Sequence, residues 1–124
     1  MPDIARKFVG ETRANILVNL TNDAWYGKTV GPWQHLWLAQ SRAIETRRSL
    51  LRVTNTGVTS LVNAKGEVVK TLPMFRADTM QTEVEILNGE TVYVRFGDWF
   101  AWAMTIISLA VVLFAWRRSF RKAG

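Results

Sequence analysis

Between Asn19 and His35 the chain reads NLTNDAWYGKTVGPWQH, a run dense in hydrogen-bonding and aromatic side chains. Asn22 and Asp23 supply polar groups, Trp25 and Tyr26 offer apolar faces with polar tips, and Gly27 and Gly31 let the backbone turn. Such a loop has the make-up of an active-site wall. The groups that would do covalent chemistry beside it are scarce. The chain has no cysteine and a single histidine, His35, so it holds no thiol nucleophile, disulfide or thiolate metal site.

The remaining polar residues have quieter readings. A lone histidine at a helix start, with no serine or cysteine beside it, reads as a hydrogen-bonded scaffold residue before a general base. Arg42 and Glu45 stand three apart on a helical stretch and are expected to form a structural ion pair. Asn22 and Asp23 have a second reading as residues that cap a turn, and Trp25 as one that packs the core. One imidazole and scattered carboxylates give no metal-ligand spacing. No glycine loop ending in Lys-Ser or Lys-Thr is present to cradle phosphates. No metal or cofactor is expected.

The elements that must position this loop follow from pattern. DIARKFVG resembles a helix end with Gly10 at the C′ position. NILVNLT is a short, branched, mostly apolar run, as in a buried strand. A helix is expected from about Trp33 to Arg47, with Trp33, Trp37, Gln40 and Ile44 on one side and Leu36, Ala39 and Ala43 beside them. Arg47 and Arg48 read as its solvated end. LLRVTN, VTSLVNA and VVKTLP are strands separated by turns at Asn55-Thr56-Gly57 and Lys65-Gly66, and TEVEIL offers one more strand. Arg52 and Thr54 alternate with Leu51 and Val53, which sets polar and apolar side chains on opposite faces. Strand, loop, helix and a meander of strands make an α/β (α+β) layered domain.

The net charge of +6 is concentrated at one end. Residues 99–124 hold four basic and no acidic side chains, whereas residues 1–98 hold twelve basic and ten acidic ones. No clustered basic face for nucleic acid is evident in the rest. Within this end, before its basic residues, lies WFAWAMTIISLAVVLFAW, Trp99 to Trp116, without a charge. As a helix it spans roughly 27 Å, near the hydrocarbon thickness of a bilayer. Trp99, Trp102 and Trp116 stand towards its ends, where indoles favour the headgroup boundary. The basic RRSFRK that follows places the C-terminus in the cytoplasm by the positive-inside rule. The chain thus divides into residues 1–98, a transmembrane helix over 99–116, and a basic cytoplasmic tail over 117–124.

NDAWYG, GPWQH, RAIE and RVTNTG, in this order and followed by a final apolar helix, resemble bacterial apolipoprotein N-acyltransferases of the carbon–nitrogen hydrolase (nitrilase) superfamily. Soluble nitrilase relatives do not normally end in a membrane segment. The resemblance implies part of an αββα sandwich, over residues 1–98, on the periplasmic side of the inner membrane. It implies transfer of an acyl chain from a phospholipid, through a cysteine thioester, to the amine of a diacylated lipoprotein. The family's Glu, Lys and Cys would all precede residue 1, because PDIARKFV corresponds to the segment just after the Cys-Tyr-Glu motif. No catalytic residue is therefore assigned, and the chain is expected to be a C-terminal fragment, inactive alone. A separately encoded N-terminal half is one expected partner. The loop Asn22, Asp23, Trp25, Tyr26 and Gly27 would line the acyl or headgroup pocket. A non-catalytic, membrane-anchored protein that binds lipid or a partner, and a soluble-type amidase, are the alternatives. Residues 1–98 by themselves are expected to fold marginally, with an apolar sheet face uncovered.

Overall fold

The computed structural model describes the backbone of residues 2–123 and the side chains of residues 3–118. The side chains of Arg121 and Lys122 in the expected tail, and Met1 and Gly124, lie outside the described residues. The elements are α1 (Pro2–Gly10), β1 (Ile16–Thr21), a 3-10 turn (Ala24–Tyr26), α2 (Gly31–Thr46), β2 (Ser49–Thr54), β3 (Ser60–Val62), β4 (Val68–Thr71), α3 (Val92–Phe96) and α4 (Trp99–Ala123). The chain is mixed α/β with one four-stranded sheet in the order β1-β2-β3-β4. β1 and β2 are parallel, which requires a crossover, and α2 provides it. β2, β3 and β4 then follow as an antiparallel meander.

Register decides which side chains meet. Leu17 stands opposite Leu50, and Leu50 opposite Val62. These three form a row in the core with Leu36, Ala39 and Ala43 of α2. The alanines let the helix backbone approach the sheet, so the buried stripe of α2 is Pro32, Leu36, Ala39, Ala43 and Thr46. The expected aromatic side is the outer one: Trp33, Trp37 and Ile44 are exposed. Two alanines, Ala39 and Ala43, accompany the one large buried side chain, Leu36, on the side that meets the sheet. Ala5 and Val9 of α1 join the same core with Val94 of α3.

The opposite sheet face is partly bare. Val18 and Val53 are exposed, and Leu20 is 75% exposed. No strand forms over residues 82–87. Backbone carbonyls in and just before that segment accept from side chains instead, with Lys70 Nζ donating to Gln81 O at 2.9 Å and Ser49 Oγ to Glu85 O at 3.2 Å. The end of α2 also differs from expectation. Arg47 takes a left-handed conformation (φ 50°) and is exposed, but Arg48 is buried. Its Nε donates to Ala14 O at 2.8 Å and its Nη2 to Gly89 O at 2.7 Å. Arg48 thus ties the loop before β1 to the segment before α3.

α3 is started by Thr91, whose Oγ1 accepts from Val94 N at 3.0 Å and donates to Glu45 O at 2.6 Å. Gly97 (φ 61°) turns the chain into α4. The stretch Trp99–Arg118 is long and apolar enough to cross a membrane, and none of it is buried within the protein. A helix on a globular domain hides one apolar stripe, whereas one apolar all round belongs in the core of a larger protein or in a membrane.

Candidate functional site

The loop after β1 is fixed from beneath. Asp23 is 1% exposed. Its Oδ2 accepts from Arg52 Nη2 at 2.7 Å, and neither side chain of this pair is reached by solvent. Its Oδ1 lies 2.9 Å from His35 Nδ1. Arg52 Nη1 donates to Asn19 Oδ1 at 3.0 Å. Asn19 and Arg52 are register partners on the parallel pair β1–β2, so both point to the face beneath α2. Strand alternation sets Arg52 inward while Val53 turns out. The polar residue of that pair is thus the buried one, and Asp23 supplies the charge that makes its burial tolerable.

Gly57 has its own part in this arrangement. Its φ is not in the left-handed region, so backbone freedom is not the reason for glycine. A Cβ there would collide with the Asp23 carboxylate. The turn Asn55-Thr56-Gly57 therefore closes over Asp23, and Asn55 Oδ1 accepts from Asp23 N at 3.2 Å.

Asn22 behaves as a turn residue: its Oδ1 accepts from Ala24 N at 3.0 Å and from Asn55 Nδ2 at 2.8 Å. Trp25 is 86% exposed and is not a core residue. Tyr26 is exposed as well, and its ring meets that of His35 edge-on, centroids 5.8 Å apart. Gly27 adopts φ 55° and ψ −153°, a region essentially reserved for glycine. The loop accordingly presents an aromatic surface on a rigid base.

Beside that base lies a cavity of about 480 Å³. Ile4, Phe8, Leu38 and Leu50 give it apolar walls, and His35, Arg42 and Arg52 give it polar ones. None of the five loop residues is among its lining residues; His35 connects the two. Its role at the junction was not legible from a lone histidine in sequence, although its position twelve residues after Asp23 on the following helix is what makes the contact. Arg42 Nη1 stands 2.8 Å from Glu45 Oε2. Burial pushes the Glu45 carboxyl above its ordinary value; Arg42 opposes this and the Asp98 charge adds to it. Burial, with the charges of Glu45 and Asp98, likewise raises the Tyr93 phenol.

Chemically, the arrangement offers a recess with apolar walls, in which Arg42 and Arg52 are engaged by Glu45 and Asp23, and beyond His35 an exposed aromatic loop. It contains no nucleophilic thiol. The sequence profile of the carbon–nitrogen hydrolases matches residues 1–91. A curated apolipoprotein N-acyltransferase of Haemophilus ducreyi is 42% identical over 102 residues, covering 82% of this chain and 20% of that protein. One of Geobacter metallireducens is 38% identical over 117 residues, covering 94% of this chain and 22% of that protein. One of Azotobacter vinelandii is 40% identical over 111 residues, covering 90% and 20%. The chain spans about a fifth of the length of these relatives.

Proposed function

The chain belongs to the carbon–nitrogen hydrolase family, and on that premise we propose that it is the C-terminal portion of an apolipoprotein N-acyltransferase. One observation carries this reading beyond the broad family. An alignment over 117 of 124 residues must include residues 8–117, so the likeness to the Geobacter protein runs from the sheet domain well into α4. A membrane-length helix continuous with the domain suits an enzyme whose substrates reside in a bilayer.

In this reading the substrates are a phospholipid acyl donor and a diacylated lipoprotein acceptor. Residues 1–98 face the periplasm, and α4 sits in the inner membrane. The cavity between α1, α2 and the sheet takes apolar substrate surface along Ile4, Phe8 and Leu38. Asp23 and Arg52 fix the base of the loop, and Trp25 and Tyr26 form its rim. Passing an acyl group through a thioester requires a thiolate, a base for its proton and donors for the oxyanion. With no cysteine in the sequence, the 124 residues supply wall and anchor, and the thiol must come from another polypeptide segment.

The test is acyl transfer to a diacylated lipopeptide in phospholipid vesicles, read by mass spectrometry. The 124-residue chain is assayed alone and with a polypeptide carrying the family's Glu, Lys and Cys. Triacylated product is expected only from the pair, and not when that Cys is replaced by Ala. Failure of the two polypeptides to associate or turn over would reject the proposed role. Product from this chain alone would reject the need for an external thiol.

A further inference from the structure

A second cavity, of about 550 Å³, lies at the other end of the sheet. Asn15 and Arg48, which line it, immediately precede the parallel strands β1 and β2, while Asp23 and Asn55 follow them. Six-residue strands put these ends roughly 20 Å apart. Three arginines line the cavity, Arg13, Arg48 and Arg95, against one carboxylate, Glu90. Arg48 is buried and its guanidinium is committed to backbone carbonyls. It contributes positive potential from below. Arg13 and Arg95 are exposed, and neither makes a side-chain hydrogen bond or ion pair among the described residues. Arg13 is held at φ 55°, a conformation that costs a non-glycine residue energy. The adjacent Ala14 is anchored at both ends of its peptide, its N–H to Phe8 O and its O to Arg48 Nε.

The place of this cavity in the chain names its ligand. Arg95 stands four residues before Trp99, where α4 begins with exposed Trp99, Phe100 and Trp102. The indoles of Trp99 and Trp102 mark the headgroup level of a bilayer. Guanidinium groups pair with phosphate oxygens through two parallel hydrogen bonds. We infer that this crevice is a binding site for the phosphate of an anionic phospholipid headgroup, separate from the cavity beside Asp23. The inference rests on α4 being a membrane span. It does not require acyl transfer: the bound lipid positions the domain on the membrane and is not consumed.

Binding is measured on the full chain in an uncharged detergent, by native mass spectrometry and calorimetry. The probes are dihexanoyl phosphatidylglycerol, dihexanoyl phosphatidylcholine and glycerol 3-phosphate. The phosphatidylglycerol is expected to bind about tenfold or more tightly than the phosphatidylcholine, as about 1 kcal/mol per basic residue near an anionic surface implies. R13Q/R95Q should lose about tenfold or more of that affinity, E90Q should gain affinity, and K65Q at the β3–β4 turn should leave it unchanged. Circular dichroism reports whether each variant is folded; should R13Q/R95Q unfold, the sign of the E90Q effect decides. Equal affinity in folded R13Q/R95Q, no gain in E90Q, or equal binding of the two lipids would overturn the site. Glycerol 3-phosphate bound as tightly as phosphatidylglycerol would overturn its assignment to lipid. Because the readout is binding, it can fail or succeed independently of acyl-transfer activity.

Discussion

Asp23 and Arg52 form an ion pair at 2.7 Å with both side chains sealed from solvent, one at the root of the aromatic loop and the other in the middle of β2. The pair links two segments 29 residues apart. It fixes where the loop leaves the sheet. Removing one partner leaves a buried charge uncompensated, which typically costs about 3–5 kcal/mol. Asp23→Ala and Arg52→Met are each expected to show such a loss by denaturant titration of the full chain in detergent. Asp23→Ala/Arg52→Met should lose less than the sum of the two. Additive losses would mean that the residues act separately.

Gly57 is expected to be intolerant for steric reasons. Gly57→Ala forces a methyl into the Asp23 carboxylate, and overpacking of this kind costs about 1–3 kcal/mol. Gly27→Ala meets no atom within 4 Å, and its cost is backbone strain of about 1–3 kcal/mol. The discriminating measurement is the environment of His35: its NMR imidazole signals should shift in Gly57→Ala, where Asp23 is displaced. Unmoved His35 signals would contradict the steric account.

The Glu45 carboxyl is raised above its ordinary value of 4.5 by burial, against the opposing pull of Arg42. The folded state then holds its proton more tightly than the unfolded state. This contribution to stability is fully present below 4.5 and is lost as pH rises through the folded-state value. Glu45→Gln should therefore flatten the fall in stability with rising pH that begins near pH 4.5. A midpoint-versus-pH curve identical in slope to the parent would refute the assignment.

α4 should hold the chain in membranes through alkaline carbonate extraction. Ile107 lies in the middle of the apolar stretch and is exposed. Ile107→Arg places a charge at the helix centre, where insertion is disfavoured by about 2.5–3.5 kcal/mol. The variant is expected to be released from the membrane fraction in much larger part. Full retention would argue that α4 is covered by protein.

Periodicity and turn chemistry determined most of the order of elements, though not α3 or the strandless segment 82–87: a branched run for β1, glycine and asparagine turns between the meander strands, and an uninterrupted apolar segment for α4. Those are local properties of the backbone and of solvent preference, so sequence alone carries them. Which side of α2 is buried was not local. The sequence set Trp33, Trp37 and Ile44 on one side and Leu36, Ala39 and Ala43 beside them without saying which faces the sheet; the sheet buries the latter, with two alanines at the contact. Arg48 looked like a solvated helix end, and only the chain's return at Ala14 and Gly89 gives it carbonyls to satisfy a buried guanidinium. The loop composition marked Asn22–Gly27 as special, but not that Asp23 is its buried foundation. That required β1 and β2 to lie side by side, setting Asn19 opposite Arg52 and bringing the carboxylate of one segment to the cation of another. Sequence determined what each segment can form; tertiary structure decided the partners, because long-range charge pairing and steric fit depend on residues that only the fold brings together.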